Sequence, residues 1–211
     1  LIMNKNKIID KYFEIYEQCH SEIDTRLNDF AKIPRELYFY ELAYCLCTPM
    51  SKAENALQVQ RKLENSNFIQ NPYNPVEILS NAQHYIRFHN QKSKYIMENF
   101  AQFEEILKIL DSDIDNFTKR NMLANQVKGF SLKESSHFLR NIGYRGLAIL
   151  DRHILKNLKE LELIEQNFQI KKWNDYFKIE LIFKKLANDI NLSPDILDLV
   201  LWAKETGKIL K

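Results

Sequence analysis

Along most of the chain apolar residues recur at intervals of three and four, the spacing that puts them on one face of an α-helix. The pattern predicts a long helix over roughly Lys5 to Phe30 and another from Arg35 to Cys47. Ser51-Lys52-Ala53-Glu54 has the form of a capping box and opens a stretch periodic through Ala56, Leu57, Val59 and Leu63. Asn74-Pro75-Val76-Glu77 predicts a further start, with proline at the first helical position. Asp111 is expected to cap a segment running to Gln126, and Ser131-Leu132-Lys133-Glu134 is a second capping box. Asp151 precedes Ile154, Leu155 and Leu158 at helical spacing, and Ser193-Pro194-Asp195 opens a last helix that ends near Gly207. The stretch Asn65–Asn74, with four Asn and Pro72, reads as a loop and as the expected separator of two lobes. No internal repeat is present.

Composition narrows the class to all-α. Four Gly and five Pro cannot supply the tight turns of a sandwich or barrel, whereas helix caps can come from Ser, Asp and Asn. The 211 residues, 45% of them apolar, suffice for one sizeable core or two small lobes. With 27% charged residues and mean hydropathy of −0.41, neither a membrane protein nor long disorder is expected. No apolar run approaches the roughly 20 residues that span a bilayer. The opening Leu1–Lys7 lacks the apolar core of a signal peptide, so a cytoplasmic location is expected. Cys19, Cys45 and Cys47 are too few for a disulfide framework, a four-thiolate zinc site or a four-cysteine iron–sulfur cluster, and read as reduced thiols.

The formal net charge of +2 hides an asymmetry. Between Lys119 and Lys159 nine basic residues (Lys119, Arg120, Lys128, Lys133, Arg140, Arg145, Arg152, Lys156 and Lys159) face only Glu134 and Asp151. That segment carries +7 and the remainder −5. It is either the footprint of a polyanion-binding face or a set of cations scattered around helices and simply solvated.

Inside it, Gly129, Gly143 and Gly146 fall within 18 residues, which is three of the four glycines. Lys128-Gly129-Phe130-Ser131-Leu132 lies between two predicted helices, the second capped by Ser131. A helix, a tight hairpin and a helix N-terminus gather backbone N–H groups that can hold a phosphate, although an ordinary connector has the same outline. Lys133 sits in the first turn of that helix, where a cation opposes the helix dipole. Beside apolar Leu132 and other cations it is expected to have a lowered pKa and to serve as an amine nucleophile; most lysines are simply solvated. Eighteen residues on, after the apolar run Leu147-Ala148-Ile149-Leu150, comes Asp151, which taken alone is a plain N-cap.

The run Val127-Lys128-Gly129-Phe130-Ser131-Leu132-Lys133-Glu134-Ser135-Ser136-His137-Phe138-Leu139-Arg140-Asn141-Ile142-Gly143, followed by Ala148-Ile149-Leu150-Asp151-Arg152-His153-Ile154-Leu155, resembles the archaeal and thermophile class of 8-oxoguanine DNA glycosylase/AP lyases, of the helix-hairpin-helix glycosylase superfamily. The resemblance covers nearly the whole chain and is strongest over Leu123–Leu158 and Leu197–Lys211. The family usually has a second Gly where this chain has Ser131, which makes the hairpin geometry a point for the structure to decide.

The resemblance implies an all-α, two-lobed helix-hairpin-helix glycosylase over residues 1–211, with the helix-hairpin-helix at about 114–143 and the active site between non-contiguous lobes. It implies that Lys133 attacks C1′ of the damaged nucleoside and that Asp151 orients or deprotonates the lysine and stabilises positive charge on the sugar. Lys128, Gly129 and Ser131 would bind DNA phosphates. A structural monovalent cation, K⁺ or Na⁺, would sit on the backbone carbonyls of Asn125, Val127 and Phe130, with no other cofactor and no iron–sulfur cluster. Phe88 and Trp202 would sandwich the flipped base, and Lys211 would read it from a tail whose free carboxylate can accept from N7. The implied partner is damaged double-stranded DNA, without membrane or obligate protein partner. The readings set against it are a related glycosylase for another lesion and a helix-hairpin-helix DNA-binding module without catalysis.

Overall fold

A computed structural model describes residues 2–211, with side chains from Lys5 onward. The described residues form eleven α-helices and two single-turn 3-10 helices, with no strand. They are α1 (Ile2–Ala31), α2 (Tyr38–Cys47), α3 (Ala53–Asn65), α4 (Val76–Ser80), α5 (His89–Ala101), α6 (Phe103–Asp111), α7 (Asn116–Gln126), α8 (Leu132–Asn141), α9 (Arg152–Glu160), α10 (Trp173–Asp189) and α11 (Pro194–Thr206). The chain divides into two compact units, one of α2–α8 over Lys32–Ile142, the other joining α1 to everything from Gly143 onward.

The α2–α8 unit is built around α2, which is buried from Phe39 through Cys47 and packs against α3, α5 and α8. A helix with no solvent face is a core element, and its one charge needs partners. Glu41 has them: its carboxylate accepts from Gln60 Nε2 at 2.8 Å and Asn141 Nδ2 at 3.1 Å, tying α2 to α3 and α8. Phe39 stacks on Phe68 with centroids 5.6 Å apart, and Phe100 meets both rings edge-on. Phe68 lies in the Asn65–Asn74 stretch. That stretch is therefore anchored inside one unit and is not the lobe boundary; the breaks fall at Ala31/Lys32 and Ile142/Gly143.

In the other unit α1 packs on α11, which also packs on α9 and α10. Asn157 on α9 is the polar hub: its Oδ1 accepts from Tyr12 Oη at 3.0 Å and Lys204 Nζ at 2.7 Å. The segment leading into α9 is buried but not helical, so side chains satisfy its backbone. Asp195 accepts from Gly146 N–H, Glu180 from Ala148 N–H, and the Tyr176 hydroxyl donates to Ala148 O while accepting from Leu150 N–H.

Three expected caps are corrected. Helix α3 starts at Ala53 behind Lys52, because the Ser51 hydroxyl is taken by Arg87 N–H at 3.0 Å, so the Ser51–Glu54 box does not form. Pro75 is the N-cap of the short α4 rather than its first residue. Asp111 ends α6 and pairs with Arg35 through both oxygens; α7 is capped by Asp115, whose side chain accepts from Thr118 N–H. The caps at Ser131, Asp151 and Ser193 form, and Gly207 closes α11 in the left-handed region. Helices α5 and α10 had no start signal in the sequence.

Gly143 opens the second half of its unit at φ +97°, and a Cβ there would lie 3.0 Å from Ala31 Cα. Gly146 has φ +81° and open space around it. Gly143→Ala is expected to lower stability by about 1–3 kcal/mol, and Gly146→Ala by less, because only the first adds crowding to backbone strain. Thermal unfolding of the two variants checks this; equal losses would show that crowding against α1 contributes nothing.

Candidate active site

The hairpin is Val127–Ser131. Val127 and Phe130 point into the core, with Phe130 N–H donating to Val127 O at 3.1 Å. Gly129 makes the reversal possible: at φ +88°, a Cβ would come within 2.5 Å of Tyr95 Cδ2. Ser131 sits at φ −114°, extended backbone open to any residue, so serine replaces a glycine here without strain. Its hydroxyl accepts from Lys133 N–H at 3.3 Å and donates to Glu134 Oε2, which also accepts from Ser131 N–H at 3.1 Å. The other oxygen, Oε1, is 2.7 Å from Lys133 Nζ. Burial pushes the Glu134 carboxyl up, but the Lys133 ammonium and the Ser131 donors outweigh it and hold it below the usual range. Lys133 thus has its amine fixed at the surface of the first turn of α8.

Most of the hairpin N–H groups are already engaged. Lys128 N–H goes to Asn99 Oδ1, Phe130 N–H to Val127 O and Ser131 N–H to Glu134. Those of Gly129 and Leu132 have no acceptor among the described residues and lie beside the exposed Lys128 side chain. Ser131 serves the site through its cap, since its own N–H is engaged.

Lys92 on α5 is almost wholly buried, with Nζ on the carbonyls of Cys47 at 3.0 Å and Pro49 at 2.5 Å, at the end of α2. Burial brings its pKa down to about 8; the Cys47 thiol acts upward, neighbouring Lys133 downward and Glu134 upward. Phe88 caps α5 in the left-handed region at φ 60°, a rare conformation for an aromatic residue, and its ring is exposed. Arg87 lies over that ring at 5.0 Å, and the turn is fastened to α3 by Asn55 Nδ2 donating to Tyr85 O.

In the other unit Asp151 caps α9, its Oδ1 accepting from His153 N–H at 2.8 Å and Ile154 N–H at 2.9 Å. The His153 ring stands edge-on to Trp202, centroids 5.2 Å apart, which links Asp151 to the aromatic residue on α11. Trp202 and Lys211 are both half-buried. The units therefore divide the expected site residues: Phe88, Lys128, Gly129, Ser131 and Lys133 with Asn125, Val127 and Phe130 in one, Asp151, Trp202 and Lys211 in the other.

The basic segment is a smaller face than its charge suggests. Lys119, Arg120 and Arg140 are buried, Lys119 donating to the carbonyls of Ile109, Leu110 and Ser112 and Arg120 lying over Phe117. Lys128, Arg152 and Lys156 are exposed, with Lys156 paired to Glu205 at 2.7 Å. Among the residues that sequence reasoning passed over, Glu134 was visible as the third residue of a capping box, whereas Lys92 and Asn99 carry no signal in one sequence.

An all-helical body that carries a helix, a tight glycine hairpin and a capped helix with lysine in its first turn has the fold of the helix-hairpin-helix DNA glycosylases. The family model described as 8-oxoguanine DNA glycosylase matches residues 23–192, and the chain belongs to that family. It is 35% identical to the 8-oxoguanine DNA glycosylase/AP lyase of Fusobacterium nucleatum, covering 99% of this chain and 100% of that one. It is 34% identical to that of Picrophilus torridus over the full length of both. Among solved structures it is similar to the Methanocaldococcus jannaschii 8-oxoguanine glycosylase/lyase in complex with a 15mer DNA containing 8-oxoguanine. The TM-score is 0.87 at 30% identity, covering 97% of this chain and 100% of that one. The Thermotoga maritima 8-oxoguanine DNA glycosylase gives a TM-score of 0.88 at 28% identity, covering 98% and 100%. No described helix is long and apolar enough to cross a membrane.

The buried amine has a measurable consequence. With Lys92 near 8 when folded and 10.5 when unfolded, the unfolded chain binds the extra proton between those values, so stability from this group rises with pH across that window. Unfolding free energies of wild type and Lys92→Met, measured from pH 7.5 to 10.5, should therefore diverge, wild type gaining on the variant. A constant difference would show that the amine is not suppressed by burial.

Proposed function

We propose that this chain excises 8-oxoguanine from duplex DNA and cuts the strand at the abasic site that results, with Lys133 as the nucleophile. The observation that carries the reading is the Lys133 amine, held 2.7 Å from Glu134 at the start of the helix whose hairpin leaves the Gly129 and Leu132 N–H groups for a phosphate. Those two groups and Lys128 bind the DNA backbone. Lys133 gives up a proton, leaves Glu134 and attacks C1′; the C1′–N9 bond breaks and the base departs with a proton. Ring opening gives an imine between Nζ and C1′, which acidifies the C2′ proton. Its removal expels the 3′ phosphate and cuts the strand 3′ to the lesion. Asp151 commits one oxygen to its cap, which leaves Oδ2 to stabilise positive charge on the sugar and to orient the lysine. Phe88 and Trp202 stack on the extruded base, and Lys211 offers an acceptor to the N7 hydrogen that distinguishes the lesion from guanine. A monovalent cation fits the hairpin carbonyls: those of Asn125 and Phe130 accept no hydrogen bond from the described residues, and that of Val127 accepts one. Bound there, it would supply positive charge for the phosphate. The substrate is damaged double-stranded DNA, no redox cofactor takes part, and the place of action is the cytoplasm.

Incubation with an 8-oxoguanine duplex and borohydride should give a covalent adduct with wild type and none with Lys133→Gln; absence of the wild-type adduct would leave a DNA-binding module without catalysis. Asp151→Asn keeps an acceptor for the cap, so it should retain DNA affinity and lose about 10²–10³-fold in excision. Equal loss of affinity and excision would reduce Asp151 to its cap.

Removing Lys211 should slow excision of 8-oxoguanine far more than trapping on a pre-formed abasic site, which has no base to read. Equal loss on both substrates would leave the tail a supporting role only.

A further inference from the structure

Asn99 lies on α5, far in sequence from the hairpin, and is fully buried. Its Oδ1 accepts from Lys128 N–H and its Nδ2 donates to Lys128 O, both at 2.9 Å, so one side chain makes the paired bonds that a neighbouring strand would make. Two more carboxamides hold Asn99 in place. Gln102 Nε2 donates to Asn99 Oδ1 at 3.0 Å and to Gln126 O at 3.2 Å, and Gln126 Nε2 donates back to Gln102 Oε1 at 2.9 Å. Buried Asn99, gripped by two half-buried carboxamides, favours one geometry, because turning its own amide leaves polar groups unsatisfied at about 1–3 kcal/mol each.

What that geometry decides is the direction of a single N–H. Across a trans peptide the carbonyl of one residue and the N–H of the next point in opposite directions. Asn99 draws the Lys128 carbonyl inward, so the Gly129 N–H must point away from Asn99. Glycine is the residue at which this peptide plane could turn over most easily, since either hand of φ is open to it. Turned over, it would offer a carbonyl oxygen to the ligand in place of a donor. We propose that Asn99 is the positioning residue of the hairpin, locking the Lys128–Gly129 peptide so that the Gly129 N–H faces a DNA phosphate.

This inference rests on the hairpin being the phosphate site of the proposed reaction. Asn99→Leu keeps the volume and removes both bonds to Lys128. Asn99→Asp keeps the acceptor but sets a carboxylate oxygen against the Lys128 carbonyl, favouring the turned-over peptide. Binding of a duplex with a stable abasic-site analogue would be measured over a salt series, alongside the borohydride-trapping rate at saturating DNA. Both variants should bind about tenfold more weakly, and for Asn99→Leu the loss should be alike at every salt concentration, because a neutral N–H releases no counterion. Trapping at saturation should stay within about threefold of wild type. A role confined to stability would lower the thermal midpoint and leave the affinity of the folded protein unchanged. If Asn99→Leu binds with wild-type affinity, the proposal is wrong, whatever Asn99→Asp does. Should wild type itself trap no adduct or show a flat salt dependence, it is the reading of the hairpin that fails, and the proposal with it.

Discussion

One buried carboxylate organises the site. Glu134 divides its oxygens between two tasks: Oε2 closes the capping box on Ser131, and Oε1 holds the Lys133 amine. The first fixes where α8 begins and therefore where the hairpin ends; the second fixes the side chain expected to do chemistry. A carboxylate in the first turn also suits the helix dipole, which the lysine beside it does not. The pair is neutral as a unit, so a lysine can occupy an otherwise unfavourable place without an uncompensated charge. Ordering is gained at the expense of readiness, since the amine must leave Glu134 before it can attack anything.

The same device recurs in the non-helical segments of both units. Polar side chains take the place of missing backbone partners: Asn99 at Lys128, Asp195 at Gly146, Glu180 and Tyr176 along Ala148–Leu150. Each is buried, and each sits on a helix that is itself packed in the core. The non-helical segments thereby inherit the rigidity of the helices around them, as placement of catalytic groups requires. The lead into Asp151 and the hairpin before Lys133 are built on this one principle.

Local pattern was legible where the side chain it invoked had no competitor. The Ser131 and Ser51 boxes look alike in sequence, yet only Ser131 caps, because Arg87 N–H claims the Ser51 hydroxyl from 36 residues away. Asp111 was the expected cap of α7, but Arg35 pairs with it and Asp115 caps the helix instead. The lobe boundary was misplaced for the same reason: Asn65–Asn74 has the composition of a linker, but Phe68 locks it into an aromatic cluster whose other members are remote in sequence. Helices, hairpin, lysine and aspartate could be read because they are local or belong to a resembling family. Asn99, Lys92 and the burial of Lys119, Arg120 and Arg140 could not, because each is decided by what a distant segment brings to it.

Accounting for lone pairs separates the two carboxylates that stand at helix starts. Both Glu134 and Asp151 cap, and by sequence alone either could be the acid of the site. Glu134 has both oxygens engaged, one by the cap and one by the lysine. Asp151 places two cap bonds on a single oxygen, from His153 and Ile154 N–H. An oxygen left over beside a cap whose His153 ring stands edge-on to Trp202 has lone pairs free for a substrate, whereas an oxygen already spent does not. On the proposed reading the labour divides by which atoms remain unused, Glu134 for order and Asp151 for chemistry.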